Sequence, residues 1–425
     1  MLDIKFIREN PDVVEKAAEV KGIEIDIDKI LEMDKEIISL KQQDQELRTE
    51  SNSLSDQIKS ASNDKRPALV EKSRSNKTKV KEIAEILRTK SAELKELLYL
   101  TPTIPDSEAP IGDSDKDNVV VRQVGVKPEF DFKPRNQIEL LEMNDWADFK
   151  NIPNVCGSRS VGIKGELLVY EMALWQYMMG KLMQKEFTPL SVPIHVREEA
   201  LVAMGQFPAH REETYELEKD DLFLAGTSEV VLNSLHAGEI IDEDKLPIKY
   251  GGFSPCFRRE AGSAGKDVKG LIRVHQFFKV EQYVICKGDL EESNKMHEWM
   301  LANSEELLKD LELPYQVVDC CTGDMGTGKY RMYDIEAWCP SENKYRETHS
   351  CSTLLDWQSR RANIRYRDKE TGEVKFAHTL NNTGIATPRI FVMLLENHQN
   401  ADGSINIPKA VQPYMQGITK IGGNG

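Results

Sequence analysis

No stretch of about 18 uninterrupted apolar residues occurs anywhere in the 425-residue chain, so no segment reads as a membrane span. The opening Met1-Leu2-Asp3-Ile4-Lys5-Phe6 has neither the basic start nor the apolar run of a secretory signal, and a cytoplasmic location is the expectation. Cysteine is sparse and scattered. Its seven positions (156, 256, 286, 320, 321, 339, 351) include no Cys-x-x-Cys pair, which argues against a disulfide framework or zinc ribbon and for reduced thiols. The eight histidines include no His-Glu-x-x-His, so a zinc-peptidase helix is not encoded. Positive charge is in deficit: the formal net charge of −15 speaks against indiscriminate nucleic-acid binding over the whole surface.

A net excess of basic charge nevertheless occurs in one region. Between Lys41 and Lys90 there are 12 Lys/Arg against 8 Asp/Glu, an excess of four. The same region carries helical periodicity. Met33, Leu40, Leu47 and Leu54 recur every seven residues, as do Ile30 and Ile37, and Asp44 and Ser51 interrupt the seam. A second run, Val80, Ile83, Leu87, Leu94, Leu97 and Leu98, follows the turn-forming Ser62-Asn63-Asp64-Lys65-Arg66-Pro67. Two long helices back to back predict an antiparallel coiled coil. Its basic residues crowd toward the turn and the returning helix, where an arm standing in solvent can meet RNA phosphate.

The Pro-rich Leu100–Pro110 segment marks a boundary, placing an N-terminal arm at residues 1–108 and a second domain at 109–425. Beyond it, strand-like alternation (246–257, 272–285, 315–319, 333–338) mixes with amphipathic helical patterns (165–185, 290–311, 388–398), which reads as an antiparallel α+β domain. Gly323-Asp324-Met325-Gly326-Thr327-Gly328-Lys329 imitates the opening of a P-loop. Tyr330 stands where the magnesium-binding hydroxyl belongs, however, and a strand pattern follows where a P-loop requires a helix.

The chemistry concentrates at residues 257–284. Phe257-Arg258-Arg259-Glu260-Ala261-Gly262-Ser263-Ala264-Gly265, then Gly270-Leu271-Ile272-Arg273-Val274-His275-Gln276-Phe277-Phe278-Lys279-Val280-Glu281, reads as two strands around a Gly-rich loop. Period two sets Arg273, His275, Phe277, Lys279 and Glu281 on one face and Ile272, Val274, Phe278 and Val280 on the other. One face packs. The other offers a guanidinium fork, carboxylates and an aromatic plate to a ligand.

This run resembles motif 2 of class II aminoacyl-tRNA synthetases in the form found in the seryl-tRNA synthetase family. Three further segments carry the resemblance. Thr227-Ser228-Glu229 resembles the family's Thr-x-Glu loop; Glu347-Thr348-His349-Ser350 resembles its ATP and metal segment; Asn381-Asn382-Thr383-Gly384-Ile385-Ala386-Thr387-Pro388-Arg389 resembles motif 3.

The resemblance implies a class II catalytic domain, an antiparallel sheet flanked by helices, preceded by a coiled-coil arm that grips tRNA. It implies a ligase that activates L-serine with ATP and Mg2+ and transfers it to serine tRNA, with selenocysteine tRNA as a further candidate, and a homodimer with no membrane association. By the same resemblance Arg258, Glu260 and Arg389 are the catalytic residues, and Arg258 bridges the serine carboxylate and the α-phosphate. Arg259, Val274, Phe277, Thr348 and His349 join them at ATP, with Glu347 and Ser350 at ATP and its metal. Thr227, Ser228, Glu229, Arg258, Glu281 and Thr383 surround serine. Thr383 keeps the hydroxyl that motif 3 needs to face that substrate.

Two other classes of function are distinguished by particular residues. An amino acid:carrier-protein ligase typically lacks a basic helical arm and uses zinc-binding cysteines. A non-catalytic RNA-binding or coiled-coil scaffold has no reason to retain Arg258, Glu281, Glu347 and Arg389 together.

Overall fold

The structure, a computed structural model, describes residues 1–261 and 269–423; the Gly262–Gly265 part of the Gly-rich motif lies outside the described residues. Two compact units emerge, Met1–Glu19 with Ile23–Pro102 and Val20–Gly22 with Thr103–Gly425, and the smaller one ends inside the Pro-rich segment.

In the smaller unit, the helices Ile27–Ser60 and Arg66–Tyr99 run antiparallel. Asp26 starts the first by accepting from the Lys29 amide at 2.8 Å, and Pro67 sits in the opening turn of the second. Ile27, Ile30, Ile37 and Leu54 are buried from one helix and Leu94 and Leu98 from the other, while the middle of the seam is polar. There Asn76 donates to the Leu47 carbonyl at 2.8 Å and to the Ser51 hydroxyl at 2.9 Å, which accounts for the interruption of the heptad at Ser51. A buried seam Asn gives up stability for a single register. Ion pairs Lys90–Glu36 and Lys72–Glu50 cross between the helices and mark which levels face each other. Arg74, Lys77 and Lys81 are exposed and, at helical spacing, share one flank; Lys72 and Lys79 share the other.

The larger unit is built on an eight-stranded sheet. From one edge to the other its strands are Val119–Val124, Tyr315–Asp319, Arg331–Cys339, Lys344–Leu355, His378–Thr387, Gln276–Cys286, Ile248–Phe257 and Thr188–Ser191. Every neighbouring pair is antiparallel except the last. Helices Glu166–Gln184, Leu290–Asp310 and Arg389–Asn397 supply Leu174, Met178, Leu301, Leu308, Ile390 and Leu394 to one continuous core with Val280, Val284, Ile335 and Ile385 from the strands. Period two then leaves Lys279, Glu281, Ser350, Ser352, Asn381 and Thr383 to line a cleft.

Two local expectations are corrected. The second motif strand begins at Gln276, not Ile272, because the preceding backbone is tied elsewhere: the Leu271 amide donates to Gln137 Oε1 at 3.1 Å and the His275 amide to the Arg159 carbonyl at 3.1 Å. In the 381–389 run, Thr387 has the side chain of a helix cap and Pro388 suits a first helical position, yet Thr387 does not cap the last helix. Its hydroxyl accepts from Trp175 Nε1 at 3.2 Å and donates to the Phe278 carbonyl at 3.4 Å, and Pro388 occupies the cap position.

Candidate active site

The cleft encloses about 710 Å³ and narrows into a side pocket of about 90 Å³. Strand register builds its floor. Glu281 is paired with Thr383, Ser352 with Asn381, and Asp334 with Ser350, so polar side chains from four neighbouring strands meet on one face.

At one end stands Glu229, 3% exposed, at the start of a short helix. Its two carboxylate oxygens accept from Gln358 Nε2 at 2.8 Å and Asn381 Nδ2 at 2.5 Å, and its amide donates to the Thr227 hydroxyl at 3.3 Å. Gln358 is oriented in turn by the Thr379 hydroxyl at 2.7 Å. Two amide donors of this kind fix the direction of the carboxylate. Thr227 and Glu229 line the cleft; Ser228 is fully buried and turns its hydroxyl to the Gly252 carbonyl at 3.2 Å, shaping the loop from behind.

Glu281 lies deeper, 2% exposed, beside the buried Lys279 ammonium, in ionic contact but without hydrogen-bond geometry at Oε2. Burial pushes its carboxyl up to about 7, with Lys279 pulling it back and the Glu229 charge adding to the rise. A group poised there accepts a hydrogen bond when ionised and donates one when protonated.

Arg258 closes the cleft toward the side pocket. Its guanidinium stands 5.2 Å from the centroid of the Phe277 ring and its Nε donates to the Gly226 carbonyl at 3.4 Å. Glu260 has a left-handed backbone (φ 54°) and is gripped by Arg273 at 2.6 Å. Arg259 instead reaches the Glu212 carbonyl at 3.2 Å from an exposed position. Val274, Phe277, Thr348 and Arg389 line the side pocket together. Arg389 Nη1 donates to both the carbonyl and the carboxylate of Glu347, at 3.0 and 3.1 Å, and Glu347 and Ser350 face the main cleft.

The Thr348 hydroxyl lies 3.1 Å from the Ile335 carbonyl and 2.9 Å from His349 Nδ1, and His349, 1% exposed, donates through Nε2 to the Gly384 carbonyl at 3.1 Å. Burial lowers the His349 imidazole to about 4, so it is neutral at pH 7. With a folded value below the unfolded 6.5, its contribution to stability is present above about 6.5 and is lost as pH falls toward 4. We expect His349→Gln to lower the apparent Tm at pH 7 and to reduce its fall between pH 7 and 5. Thermal unfolding at both pH values checks this, and an unchanged Tm would place the ring outside the supporting hydrogen-bond network.

Two elements of the cleft carry no signal that sequence patterning resolves. Gln358 and Asn381 act by orienting Glu229, a role visible only once distant strands are paired. The false P-loop lines the cleft and is held by Lys21 of the Val20–Gly22 segment, whose ammonium donates to the carbonyls of Gly326, Thr327 and Lys329 at 3.1, 3.3 and 2.6 Å.

An antiparallel sheet carrying an arginine–aromatic plate, two buried carboxylates and a motif 3 arginine on one face defines a class II aminoacyl-tRNA synthetase catalytic domain. Residues 213–398 match the tRNA synthetase class II core domain (G, H, P, S and T), and residues 1–105 match the seryl-tRNA synthetase N-terminal domain. The serine–tRNA ligase of Deinococcus radiodurans is 52% identical over 422 residues, 99% of each chain. Among solved structures, the Pyrococcus horikoshii seryl-tRNA synthetase complexed with ATP superposes with a TM-score of 0.92 at 37% identity, covering 99% of both chains. The Naegleria fowleri cytoplasmic enzyme in complex with AMP gives 0.88 at 28% identity, covering 100% of this chain and 99% of that one. The chain belongs to the seryl-tRNA synthetase family.

Proposed function

We propose that the chain activates L-serine with ATP and transfers it to serine tRNA. The observation that carries this reading is the convergence in one cleft of two buried carboxylates, Glu229 and Glu281, with Arg258 near enough to act electrostatically on Glu281. That set matches an amino acid with a hydroxyl side chain: Glu229 for the ammonium, Glu281 and Thr383 for the hydroxyl, Arg258 for the carboxylate. Adenine enters the side pocket between Phe277 and Arg389, along the Val274 backbone, and Arg389 leaves Glu347 to stack on the ring.

A serine carboxylate oxygen attacks the α-phosphorus, the bond to the bridging oxygen breaks and pyrophosphate departs. The 3'-terminal ribose hydroxyl then attacks the seryl carbonyl and AMP leaves. The side chains supply orientation and neutralise charge: Arg258 spans carboxylate and phosphate, and Glu260 fixes Arg273 at the same edge. Glu347 and Ser350 present hard oxygen donors to the cleft, a set that suits Mg2+ bound to phosphate oxygens. When bound, the metal adds Lewis-acid neutralisation of the triphosphate.

Glu347→Gln is accordingly expected to raise the magnesium concentration needed for half-maximal ATP–pyrophosphate exchange by about tenfold or more, with the fold intact. Normal activity with an unchanged magnesium requirement would remove Glu347 from the metal. Serine-dependent exchange measured against threonine and alanine, followed by charging of serine tRNA, tests the reaction itself. Exchange without charging would favour a carrier-protein ligase.

Leu168, Val169, Met172 and Met183, exposed along the Glu166–Gln184 helix, support a homodimer. Among the described residues no helix is long and apolar enough to cross a membrane. A cytoplasmic setting follows from the proposed tRNA substrate, and selenocysteine tRNA is a candidate second substrate.

A further inference from the structure

Next to the cleft, three side chains that the proposed reaction does not use come together. One ligand atom each from Cys320, Asp324 and Asp334 lies within 4.8 Å of the other two. Strand pairing explains the meeting of two of them. Val318 is paired with Asp334 and the Cys320 amide donates to the Met332 carbonyl at 3.0 Å, so Cys320 and Asp334 issue from the same face of adjacent chains. The turn that follows brings in Asp324, its amide donating to the Cys321 carbonyl at 3.1 Å and its Oδ2 accepting from Asn118 at 2.9 Å.

A second observation points to a ligand. Asp334 is 8% exposed, the Ser350 hydroxyl serves its carboxylate, and its Oδ1 has no hydrogen-bond partner among the described residues. Leaving a buried carboxylate oxygen unpaired is costly. The Lys329 ammonium is the cation that acts on Asp334, against the negative charges of Glu347 and Asp324.

We propose that Cys320, Asp324 and Asp334 form a divalent-cation site of the zinc class, separate from the magnesium position at Glu347 and Ser350. A thiolate with two carboxylates suits a borderline-soft ion, whereas Mg2+ prefers oxygen donors alone. Zinc bonds of about 2.0–2.3 Å set tetrahedral ligands about 3.5 Å apart, so the present spacing contracts by small side-chain rotations. On binding, the Cys320 thiol proton and any proton on Asp334 pass to solvent; no electrons are transferred. The ion would clamp the 321–329 loop beside the cleft, leaving a fourth position for water. No Cys-x-x-Cys spacing announces this site, because its ligands are assembled across two strands and a turn.

The test uses the full-length chain and metal binding as its readout, so it stands whether or not serine is the substrate. Titration with Co2+ in the presence of millimolar Mg2+ is expected to give one ion per chain with a thiolate-to-cobalt charge-transfer band, displaced by Zn2+. Cys320→Ser should abolish the band, and Asp324→Asn, a partly exposed and conservative change, should weaken Co2+ and Zn2+ binding at least about tenfold with unchanged near-UV circular dichroism. Absence of the band, its survival in Cys320→Ser, or equal affinity in Asp324→Asn would overturn the proposal.

Discussion

Replacing Glu281 by Ala is expected to reduce serine-dependent ATP–pyrophosphate exchange at least ~100-fold, because a site built to bond a substrate hydroxyl loses that bond and leaves its other polar groups unpaired. Lys279 sharpens the expectation. Its ammonium is 7% exposed and touches Glu281, so Glu281→Ala also leaves a buried charge without its counter-charge. Glu281→Gln separates the two effects, as it keeps the shape and removes the charge. If the ionised carboxylate reads the hydroxyl, kcat/KM for serine in the parent should fall as pH drops through about 7, where this carboxyl takes up its proton. Glu281→Gln should be slow at every pH and lack that limb. The stability effect has the opposite sign. With a folded value above the unfolded 4.5, this group favours the fold most below 4.5 and loses that contribution as pH rises toward 7. Near-normal exchange in both variants would take Glu281 out of the serine pocket.

Shortening the arm should have the largest effect of all, and on one half-reaction only. The Lys90–Glu36 and Lys72–Glu50 pairs show which levels oppose each other, so residues 44–80 can be removed and the helices rejoined by a short turn without shifting the register near the base. Serine-dependent exchange should survive and tRNA charging should fall below detection. A milder variant addresses the electrostatics. Arg74→Gln, Lys77→Gln and Lys81→Gln together remove the charge of one flank of the returning helix. Every phosphate that the variant no longer neutralises should flatten the log–log salt dependence of tRNA binding by roughly 0.7–0.9, a total of about 2–3 if all three side chains meet phosphate. Unchanged affinity and slope would mean that this flank is only solvated surface.

The sequence announces the coiled coil and the alternating strands because both rest on local repeats: heptads between Met33 and Leu54, and period two around Lys279 and Glu281. It also names the residue types of the proposed site, through the ordered runs at 257–281, 347–350 and 381–389. Its limits show wherever a role depends on a partner far along the chain. Thr387 looks like a cap because cap preference is local; the indole of Trp175, 212 residues away, claims its hydroxyl instead. Ile272–His275 alternate like a strand, but hydrogen bonds to Gln137 and Arg159 hold them out of the ladder.

Charge state belongs to the same class. Nothing in the residues flanking Glu281 reveals that its carboxyl is pushed up to about 7, since that shift comes chiefly from removal of water by surrounding elements. His349 adjoins the metal segment in sequence, yet sheet pairing turns it away from the cleft and buries it neutral. Gln358, Asn381 and Lys21 acquire their roles only when the strands close around Glu229 and the 326–329 loop. Local repeats and composition therefore determined the kinds of elements and the inventory of chemical groups. The tertiary structure alone decided which groups face one another and which keep their charge, because hydrogen-bond geometry and desolvation depend on distances through space, not along the chain.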